Sequence, residues 1–432
     1  MQVQGDVMTT NNSTIPMIPP ARWLHRLCVL AVCLVWPLIW VGGLVTTYDA
    51  GMAVPDWPAT YGYNLFLYPY KTWLLGPFDL FIEHGHRLLG AVVGFVTIGI
   101  VMAAFVGEPR RWVRWLCVGL LVMVIAQGGL GGMRVVLGDR TLAMVHGCFG
   151  PAFFAVCVIA AVVTSRFWWW PPGGTRTAAG KAGARSGGLD NDGSSNAESS
   201  QTAPSQNDPS PNDPSPTDPS PTDPSSADPS LCAAGNSIAD WPKIGSGIVG
   251  IGFALILISY LQLVLGAQLR HVQPTTRPGI FAMIIMMHVM TAFILWGMTA
   301  LSWWVLRRRG QGNRCGDLTL SRPAASLVGL VALQIGLGIG TWVVNYGWPS
   351  ILQWVPGSAE FLLRAKGFAD SIIVTAHVAT GSLILAVAAM LAIRLCRVRS
   401  WQGQTGASLS PAVAAATESE IAPVSAPATA SS

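Results

Sequence analysis

Eight stretches of predominantly apolar residues follow one another along the chain. A helix needs roughly 20 such residues to cross a hydrocarbon core of about 30 Å. The stretches cover residues 27–47, 82–106, 115–137, 141–165, 244–269, 279–305, 324–345 and 371–393. The pattern predicts an all-α integral membrane protein with eight transmembrane helices. A signal peptide is a poor interpretation of the first stretch, because its apolar run is too long and a second span follows.

The composition agrees with a membrane protein. Of the 432 residues, 51% are hydrophobic and only 11% are charged, whereas soluble domains carry roughly 25% charged residues. The lipid bilayer is therefore the main partner of the chain. Nucleic acid is excluded as a first interpretation, because the basic residues do not form one patch on a soluble surface.

The basic residues predict the orientation of the spans. By the positive-inside rule, Lys and Arg collect on the cytoplasmic side. Here 18 of the 26 basic residues fall in five groups, at 22–26, 110–114, 166–243, 307–322 and 394–399. Both termini are therefore predicted to be cytoplasmic, and the even-numbered helices run from the outside to the inside.

One acidic segment interrupts the apolar pattern. Within residues 171–243, Asp-Pro-Ser recurs five times at a period of five. Such frequent proline blocks helices and strands, so a disordered spacer is favoured over a docking segment. The predicted parts are an N-terminal cytoplasmic tail (1–26), a four-helix half (27–170), the cytoplasmic linker (171–243), a second four-helix half (244–393) and a disordered cytoplasmic tail (394–432).

The two halves share a pattern of glutamine and glycine. Gln127 to Gly131 in span three matches Gln334 to Gly338 in span seven, and a related Gln262 to Gly266 lies in span five. Tight helix packing is a sufficient explanation for these glycines. Because each half has an even number of spans, we expect two tandem four-helix bundles related by an axis along the membrane normal.

Four of the seven histidines lie inside spans, and all four are on even-numbered helices: His86, His146, His288 and His377. They lie at about 6–15 Å from the outer ends, at 1.5 Å of rise per residue. The other three histidines, His25, His84 and His271, are placed where water can reach them. A single intramembrane histidine is more often a packing residue or a proton relay, but four at matching depth indicate a function.

Haem iron is the ligand that best suits two histidines on facing helices of a four-helix bundle. Zinc is disfavoured, because a zinc site would need further Cys, Asp or Glu ligands at the same depth. We therefore predict iron ligation by His86 with His146 and by His288 with His377. Arg134, Arg270 and Arg277, at outer helix ends, are candidates for haem propionates or for capping and headgroup contacts.

The two predicted sites differ chemically. Glu83 and Arg87 flank His86, whereas Ile285 and Val289 occupy the same positions around His288. Glu83 shares a helix face with His86 and could accept a proton, or it could form a salt bridge with Arg87, four residues away. The spacing leaves both interpretations open. The asymmetry favours chemistry in the first half and electron transfer in the second.

These residues resemble the haem A synthases, a family that acts in cytochrome c oxidase biogenesis. The resemblance covers the whole membrane part. It rests on the Glu-x-x-His-Arg motif at 83–87 and on the histidines of spans four, six and eight. It also rests on an outer segment, residues 42–62, that contains Gly42-Gly43-Leu44-Val45-Thr46, Pro55-Asp56-Trp57-Pro58 and Tyr61-Gly62.

The resemblance implies that the C8 methyl group of haem O is oxidised to a formyl group with oxygen derived from water, which gives haem A. It further implies a resident haem B on His288 and His377, substrate haem O between His86 and His146, and a catalytic role for Glu83 with Arg87. It implies a bacterial-type cytoplasmic (inner) membrane, delivery of haem O by a haem O synthase, and an electron acceptor that the sequence does not identify. The sequence allows a homo-oligomer without requiring one.

The chain departs from some bacterial members in its cysteines. Those members carry a cysteine pair in the first outer loop, but none of the eight cysteines here lies within 48–81 or 346–370. Two other functions use the same histidines: a dihaem b-type cytochrome that exchanges electrons with quinone, and a haem transporter or chaperone. The cytochrome does not explain the Glu83 and Arg87 asymmetry or the Pro55–Pro58 segment.

Overall fold

The computed structural model describes residues 22–169, 241–273, 275–310, 316–348, 354 and 367–420, with side chains in the last helix up to residue 404. The predicted linker (171–243) falls outside the described residues except for its last three, and so does most of the predicted N-terminal tail. Residues 349–366 of the second outer loop are described only at Trp354.

Among the described residues, eight helices are long and apolar enough to cross a membrane, so this part of the sequence prediction is confirmed. They are α1 Arg22–Thr47, α2 Phe78–Gly107, α3 Arg111–Leu137, α4 Arg140–Thr164, α5 Ser246–Arg270, α6 Pro278–Arg309, α7 Arg322–Tyr346 and α8 Phe368–Glu420. Short helical turns lie at Ala50–Met52, Tyr70–Leu74 and Arg166–Trp169, and a π-helical turn at Asp317–Ser321 leads into α7.

Local sequence signals explain the tight connection between α3 and α4. Gly138 ends α3 in the left-handed conformation (φ 61°), which glycine adopts without steric cost. Asp139 then caps α4, because its side chain accepts hydrogen bonds from the amides of Thr141 and Leu142 at 2.6 and 3.4 Å. A two-residue connection makes α3 and α4 antiparallel neighbours.

The helices pack in two similar neighbour orders. In the first half α1 contacts α2, α2 contacts α3, α3 contacts α4 and α4 contacts α1; helices α5 to α8 repeat this order. Between the halves, α8 packs against α1 and α4, and α4 also contacts α5. This order is compatible with two four-helix halves, but the tandem bundle arrangement and the axis along the membrane normal stay predictions.

Small residues and one arginine join the halves at the outer end of α1. Gly43 lies so close to α8 that a Cβ atom there would be 2.8 Å from Cγ2 of Thr375. Arg270, the last residue of α5, donates to the Gly43 carbonyl at 2.9 Å and to the Thr47 hydroxyl at 2.7 Å. Trp36 donates to the Ala379 carbonyl at 3.4 Å, deeper in the same contact.

The last helix is longer than the sequence pattern predicted. It runs to Glu420, so the expectation of a disordered tail from residue 394 is wrong for residues 394–420. Hydropathy drops after Ile393, which is why the pattern placed the end of the span there. The helix continues because its next turns pack on other parts of the chain.

Three side chains of this extension make those contacts. Arg397 Nε donates to the Trp168 carbonyl at 2.9 Å. The buried ring of Trp401 (4% exposed) lies 5.2 Å from the ring of Phe167. Gln402 accepts from the Ile244 amide and donates to the Pro242 carbonyl, both at 3.0 Å. These contacts fasten the segment that follows α4 and the segment that precedes α5 to α8.

Six cysteines lie among the described residues, and all are free. Cys28, Cys117, Cys148 and Cys157 are buried, as expected for small apolar residues in spans. Cys33 is exposed, and Cys396, in the α8 extension, is partly exposed. Cys232 and Cys315 lie outside the described residues.

A truncation tests whether the extension is part of the fold. A chain that ends after Cys396 should unfold at a temperature several degrees lower than the full chain, because the Trp401 and Gln402 contacts contribute about 2–3 kcal/mol. A chain that ends after Gln404 should match the full chain. Thermal denaturation in detergent, followed by circular dichroism, measures both. Equal midpoints would show that the extension adds nothing to stability.

Candidate functional site

Each of the four intramembrane histidines occupies the same place in a helical hairpin. They lie six to ten residues after the first residues of α2, α4, α6 and α8, counted from Phe78, Arg140, Pro278 and Phe368. The sequence predicted this matching depth. Each ring also packs against a glycine on the preceding helix, a relation that the sequence analysis did not identify.

The glycine contacts leave no room for a Cβ atom at Gly42 and very little at the other three positions. The distance from a Cβ atom built on the glycine to the imidazole Cε1 is 2.8 Å for Gly42 and His86, 3.0 Å for Gly131 and His146, 3.2 Å for Gly266 and His288, and 3.1 Å for Gly338 and His377. Real Cβ atoms essentially never come within 3.0 Å of such a neighbour, and 3.0–3.4 Å is already tight. The glycines therefore let the helices of each hairpin approach at the level of the imidazole.

Backbone carbonyls on the glycine helix orient two of the rings. Nδ1 of His146 lies 3.2 Å from the Gln127 carbonyl oxygen, and Nδ1 of His377 lies 3.2 Å from that of Gln334. A proton held on Nδ1 by such a carbonyl leaves Nε2 available to a metal ion. Within the part of the chain that the structure describes, Nδ1 of His86 and Nδ1 of His288 make no hydrogen bond.

The four rings form two pairs, one in each half. The centroids of His86 and His146 are 6.4 Å apart with an interplanar angle of 74°, and those of His288 and His377 are 6.3 Å apart at 67°. An imidazole nitrogen binds a first-row metal at about 2.0–2.1 Å, so two imidazoles on opposite sides of one iron have centroids roughly 6.3 Å apart. Both pairs therefore fit the two axial positions of a haem iron.

Other metal sites have less support in the described part of the chain. No group of three or more His, Cys, Asp or Glu residues that could hold a metal ion occurs there. The donor set that the structure offers is two imidazoles per half. That set suits an iron whose remaining four ligands come from a macrocycle.

Glu83 and Arg87 form a salt bridge beside His86, with Oε1 and Nη2 2.8 Å apart. The other carboxylate oxygen, Oε2, accepts from the Val54 amide at 2.9 Å. Arg87 donates further to the carbonyls of Asp56 (2.7 Å), Ala59 (3.1 Å) and Val54 (2.8 Å). Of the two interpretations of the spacing, the salt bridge is thus present in the structure, and the pair also holds the outer loop.

The loop that this pair holds contains the Pro55–Pro58 segment. Trp57 lies against α3, where a Cβ atom on Gly132 would be 2.2 Å from Cδ2 of the indole. Gly132 is adjacent to Gly131, the glycine that faces His146. The two motifs that are distant in sequence, Glu-x-x-His-Arg and Pro-Asp-Trp-Pro, therefore meet above the first histidine pair.

A turn on the outer side stabilises the loop. The Asp56 carboxylate accepts from the amides of Tyr61 and Gly62 at 2.8 and 2.7 Å. Partial burial opposes its ionisation, but these hydrogen bonds outweigh that effect and place the pKa of Asp56 below its ordinary value. Stability from this carboxylate is present above the ordinary carboxyl pKa and is lost as the pH falls through the lowered value.

His84 is not where the sequence analysis placed it. It was expected to reach water, but it is buried (1% exposed), with Nδ1 3.2 Å from the Thr60 hydroxyl. The rings of Tyr68 and Trp73 lie 5.2 and 5.1 Å from its ring. The loop aromatics therefore cover this side of α2, a contact between distant segments that no local sequence pattern reveals.

Positive charge collects at the outer ends of α3, α4 and α5. Two effects lower the pKa of His271 to about 4. Burial is the larger effect, and the second is the positive charge of Arg270, Arg134 and Arg140. The Arg134 guanidinium packs against Gly51 and makes no hydrogen bond to the described residues. This cationic end could hold carboxylates such as haem propionates, as the sequence analysis considered for Arg134 and Arg270. Arg277 precedes α6 at its N-cap position.

The loop contacts make a testable prediction. Arg87→Lys should loosen the first outer loop, because a lysine ammonium cannot make the forked contacts to three carbonyls and a carboxylate. We expect faster amide hydrogen exchange at Val54 and Ala59–Gly62, by tenfold or more. Lys71→Arg, in the exposed part of the same loop, is the matched control and should leave exchange unchanged. Equal amide exchange rates in Arg87→Lys and in the original chain would show that Arg87 does not hold the loop.

Comparison with known proteins agrees with this arrangement. Residues 22–170, which contain the first histidine pair, the Glu83–Arg87 pair and the loop, match a protein-family model described as cytochrome oxidase assembly protein. A separate comparison with curated proteins found no match. The resemblance expected from the motifs is thus confirmed over residues 22–170, which match the COX15-CtaA family of cytochrome oxidase assembly proteins.

Proposed function

We propose that this protein is a haem A synthase, which oxidises the C8 methyl group of haem O to the formyl group of haem A. One observation carries the proposal. Both halves hold a histidine pair at the spacing of haem axial ligands, but only the first pair has a buried carboxylate and a guanidinium beside it. Residues 22–170 match a family of cytochrome oxidase assembly proteins, and this match supports the same assignment.

In this proposal haem O is the substrate and lies between His86 and His146. Conversion of a methyl to a formyl group takes one oxygen atom from water and releases four electrons and four protons. The protein must therefore accept protons near His86 and pass electrons onward. Haem B held by His288 and His377 would supply one-electron transfer. The final electron acceptor is a partner that the proposal leaves unnamed.

Glu83 is the proposed proton acceptor at the substrate site, with Arg87 as its counter-ion. Its carboxylate is 2% exposed and already has two partners, Arg87 and the Val54 amide. To take a proton, the carboxylate must weaken one of these contacts. Both contacts hold the first loop, because Val54 is a loop residue and Arg87 binds three loop carbonyls. Proton uptake and loop position are therefore coupled in this mechanism.

The second site has no ionisable neighbours of this kind. Ile285 and Val289 take the places of Glu83 and Arg87 around His288, and Met286 and Met287 complete the turn. An apolar surrounding favours electron transfer without proton uptake. This difference supports resident haem B in the second half and substrate in the first.

The proposed location is the cytoplasmic (inner) membrane, with both termini cytoplasmic. The eight apolar helices support a multi-pass membrane protein, and the distribution of basic residues supports the orientation. Haem O would come from a haem O synthase, and a homo-oligomer is compatible with the proposal.

Pigment analysis tests the reaction directly. Cells that make haem O and express this chain should contain haem A or its hydroxylated intermediate. Glu83→Gln should retain the low-spin haem B spectrum and reduce product by at least a hundredfold, because an amide cannot accept the proton. The measurement is chromatography of extracted haems together with the absorption spectrum of the purified protein.

Two outcomes would contradict this assignment. A folded, haem-loaded protein whose extracts contain only haem B and unchanged haem O would favour the dihaem cytochrome or the haem transporter. Loss of the haem B spectrum in Glu83→Gln would show that Glu83 is structural. Asp79→Asn, at the start of the same helix, is the control and should keep full product.

The resident site has its own test. The low-spin haem B spectrum should be lost in His288→Ala and in His377→Ala. It should also be lost in Gly338→Leu, because a side chain at Gly338 displaces His377. Gly336→Leu, on the same helix where a Cβ atom would meet nothing within 4 Å, is the matched control. An unchanged spectrum in Gly338→Leu would show that the glycine contact does not position the ligand.

A further inference from the structure

Three arginines collect where α3 begins, α4 ends and α8 extends beyond its predicted span. Arg110 immediately precedes α3, and Arg394 and Arg397 lie on the α8 extension. Nη2 of Arg110 donates to the Val163 carbonyl at 3.0 Å, and Nε of Arg397 donates to the Trp168 carbonyl at 2.9 Å. One arginine from each half is thus bound to the end of α4 or to the short helix that follows it. We call Arg110, Arg394 and Arg397 the arginine cluster.

The arginine cluster carries more positive charge than its neighbouring carboxylate neutralises. Both oxygens of Glu108 accept from Arg110, at 2.7 and 2.9 Å, and Glu108 is buried (1% exposed). Arg394 and Arg397 donate to backbone carbonyls. Within the described ranges, neither of these two arginines forms an ion pair with a carboxylate. A partly buried guanidinium without a counter-ion is costly, so this end of the protein favours the binding of an anion.

The cluster also contains buried donors that have no acceptor. Among the residues that the structure describes, no hydrogen bond is made by Nη1 of Arg110, Nε of Arg394 or the indole Nε1 of Trp169. Buried donors in proteins nearly always have a partner. Three such atoms at the same end of the helices indicate that an acceptor is bound there.

Aromatic rings surround the guanidinium groups. Cζ of Arg110 lies 4.2 Å from the ring centroid of Trp169 and 5.5 Å from that of Trp112, and Cζ of Arg397 lies 5.0 Å from that of Trp168. The rings of Trp112 and Trp168 are 5.9 Å apart and connect the two arginines. Trp112 is 48% exposed. Because tryptophan favours the boundary between hydrocarbon and water, these rings place the cluster at the level of the lipid head groups.

We propose that the arginine cluster binds the phosphate of an anionic phospholipid, on the side that the basic residues predict to be cytoplasmic. Guanidinium forks match the geometry of phosphate oxygens, and basic pockets between transmembrane helices on the cytoplasmic side bind anionic head groups. A bound phosphate accepts from the unpartnered donors and neutralises Arg394 and Arg397. Because Arg110 belongs to the first half and α8 to the second, the lipid holds the two halves together at this end. The inference does not depend on the proposed reaction.

Thermal denaturation of the full-length protein in a neutral detergent tests the proposal. Phosphatidylglycerol should raise the unfolding midpoint by several degrees more than zwitterionic phosphatidylcholine, because it binds the folded protein. Titration of this difference gives an apparent affinity for phosphatidylglycerol. Arg397→Gln should weaken that affinity about fivefold, as expected for one basic residue near an anionic lipid. Arg399→Gln, at an exposed position two residues further on, is the matched control and should leave the affinity unchanged.

Four results would overturn the proposal. The first is an equal midpoint in the two lipids. The second is an Arg397→Gln midpoint that falls equally in both lipids, since this would show a purely structural role. The third is an equal loss of affinity in Arg397→Gln and Arg399→Gln, which would indicate general attraction to a basic surface. The fourth is an equal rise of the midpoint with millimolar inorganic phosphate, which would replace the lipid by a soluble anion.

A second variant decides if Arg397→Gln does not fold. Arg397→Lys keeps the positive charge but loses the planar fork that binds two phosphate oxygens. It should therefore fold and bind phosphatidylglycerol more weakly than the original chain, while phosphatidylcholine gives the same midpoint in both proteins. An unchanged affinity for phosphatidylglycerol in Arg397→Lys would overturn the proposal.

Discussion

An imidazole placed in lipid depends on the nearest backbone for its hydrogen bonds, and in this protein that dependence sets the helix packing. A buried polar group without a partner costs about 1–3 kcal/mol, and water is not available at this depth. The carbonyl of the adjacent helix can reach Nδ1 only if that helix comes very close. Gly131 and Gly338 permit the approach that lets the Gln127 and Gln334 carbonyls reach His146 and His377. The close packing of these two hairpins, one in each half, follows from this contact.

The same requirement explains why the charged pair is tied to the outer loop. A buried carboxylate or guanidinium is strongly destabilising unless its hydrogen-bonding capacity is used. Glu83 and Arg87 satisfy each other only in part, and the Val54 amide and three loop carbonyls supply the rest. Any change in the contacts of this charged pair is consequently inseparable from the conformation of residues 54–59. The second pair, with Ile285 and Val289 in these places, carries no such dependence.

The features that the sequence predicted are those that lipid enforces locally. The eight spans followed from apolar length, and the depth of His86, His146, His288 and His377 followed from counting along each span. The features that it missed depend on contacts between distant segments. His84 is buried because Thr60, Tyr68 and Trp73 fold over it, and α8 passes residue 393 because Trp401 and Gln402 find partners near Phe167 and Ile244. The four-residue spacing from Gln127 to Gly131 and from Gln334 to Gly338 could have suggested a shared role. That the carbonyls of these glutamines lie against His146 and His377 could be seen only in the structure.

Helix α1 brings the two halves together at the level of the histidines. Within two turns it carries Leu38, Gly42 against His86, and Gly43 against Thr375, which precedes His377 by two residues. Arg270 of the second half donates to the Gly43 carbonyl. A guanidinium of the second half therefore binds the backbone of α1 next to Gly42, which faces His86 in the first half. A shift of α1 that changes the contact between Gly42 and His86 must therefore also move the contacts of Gly43 with Thr375 and Arg270. The position of His86 in the first half and the packing of the second half are therefore linked through this one segment.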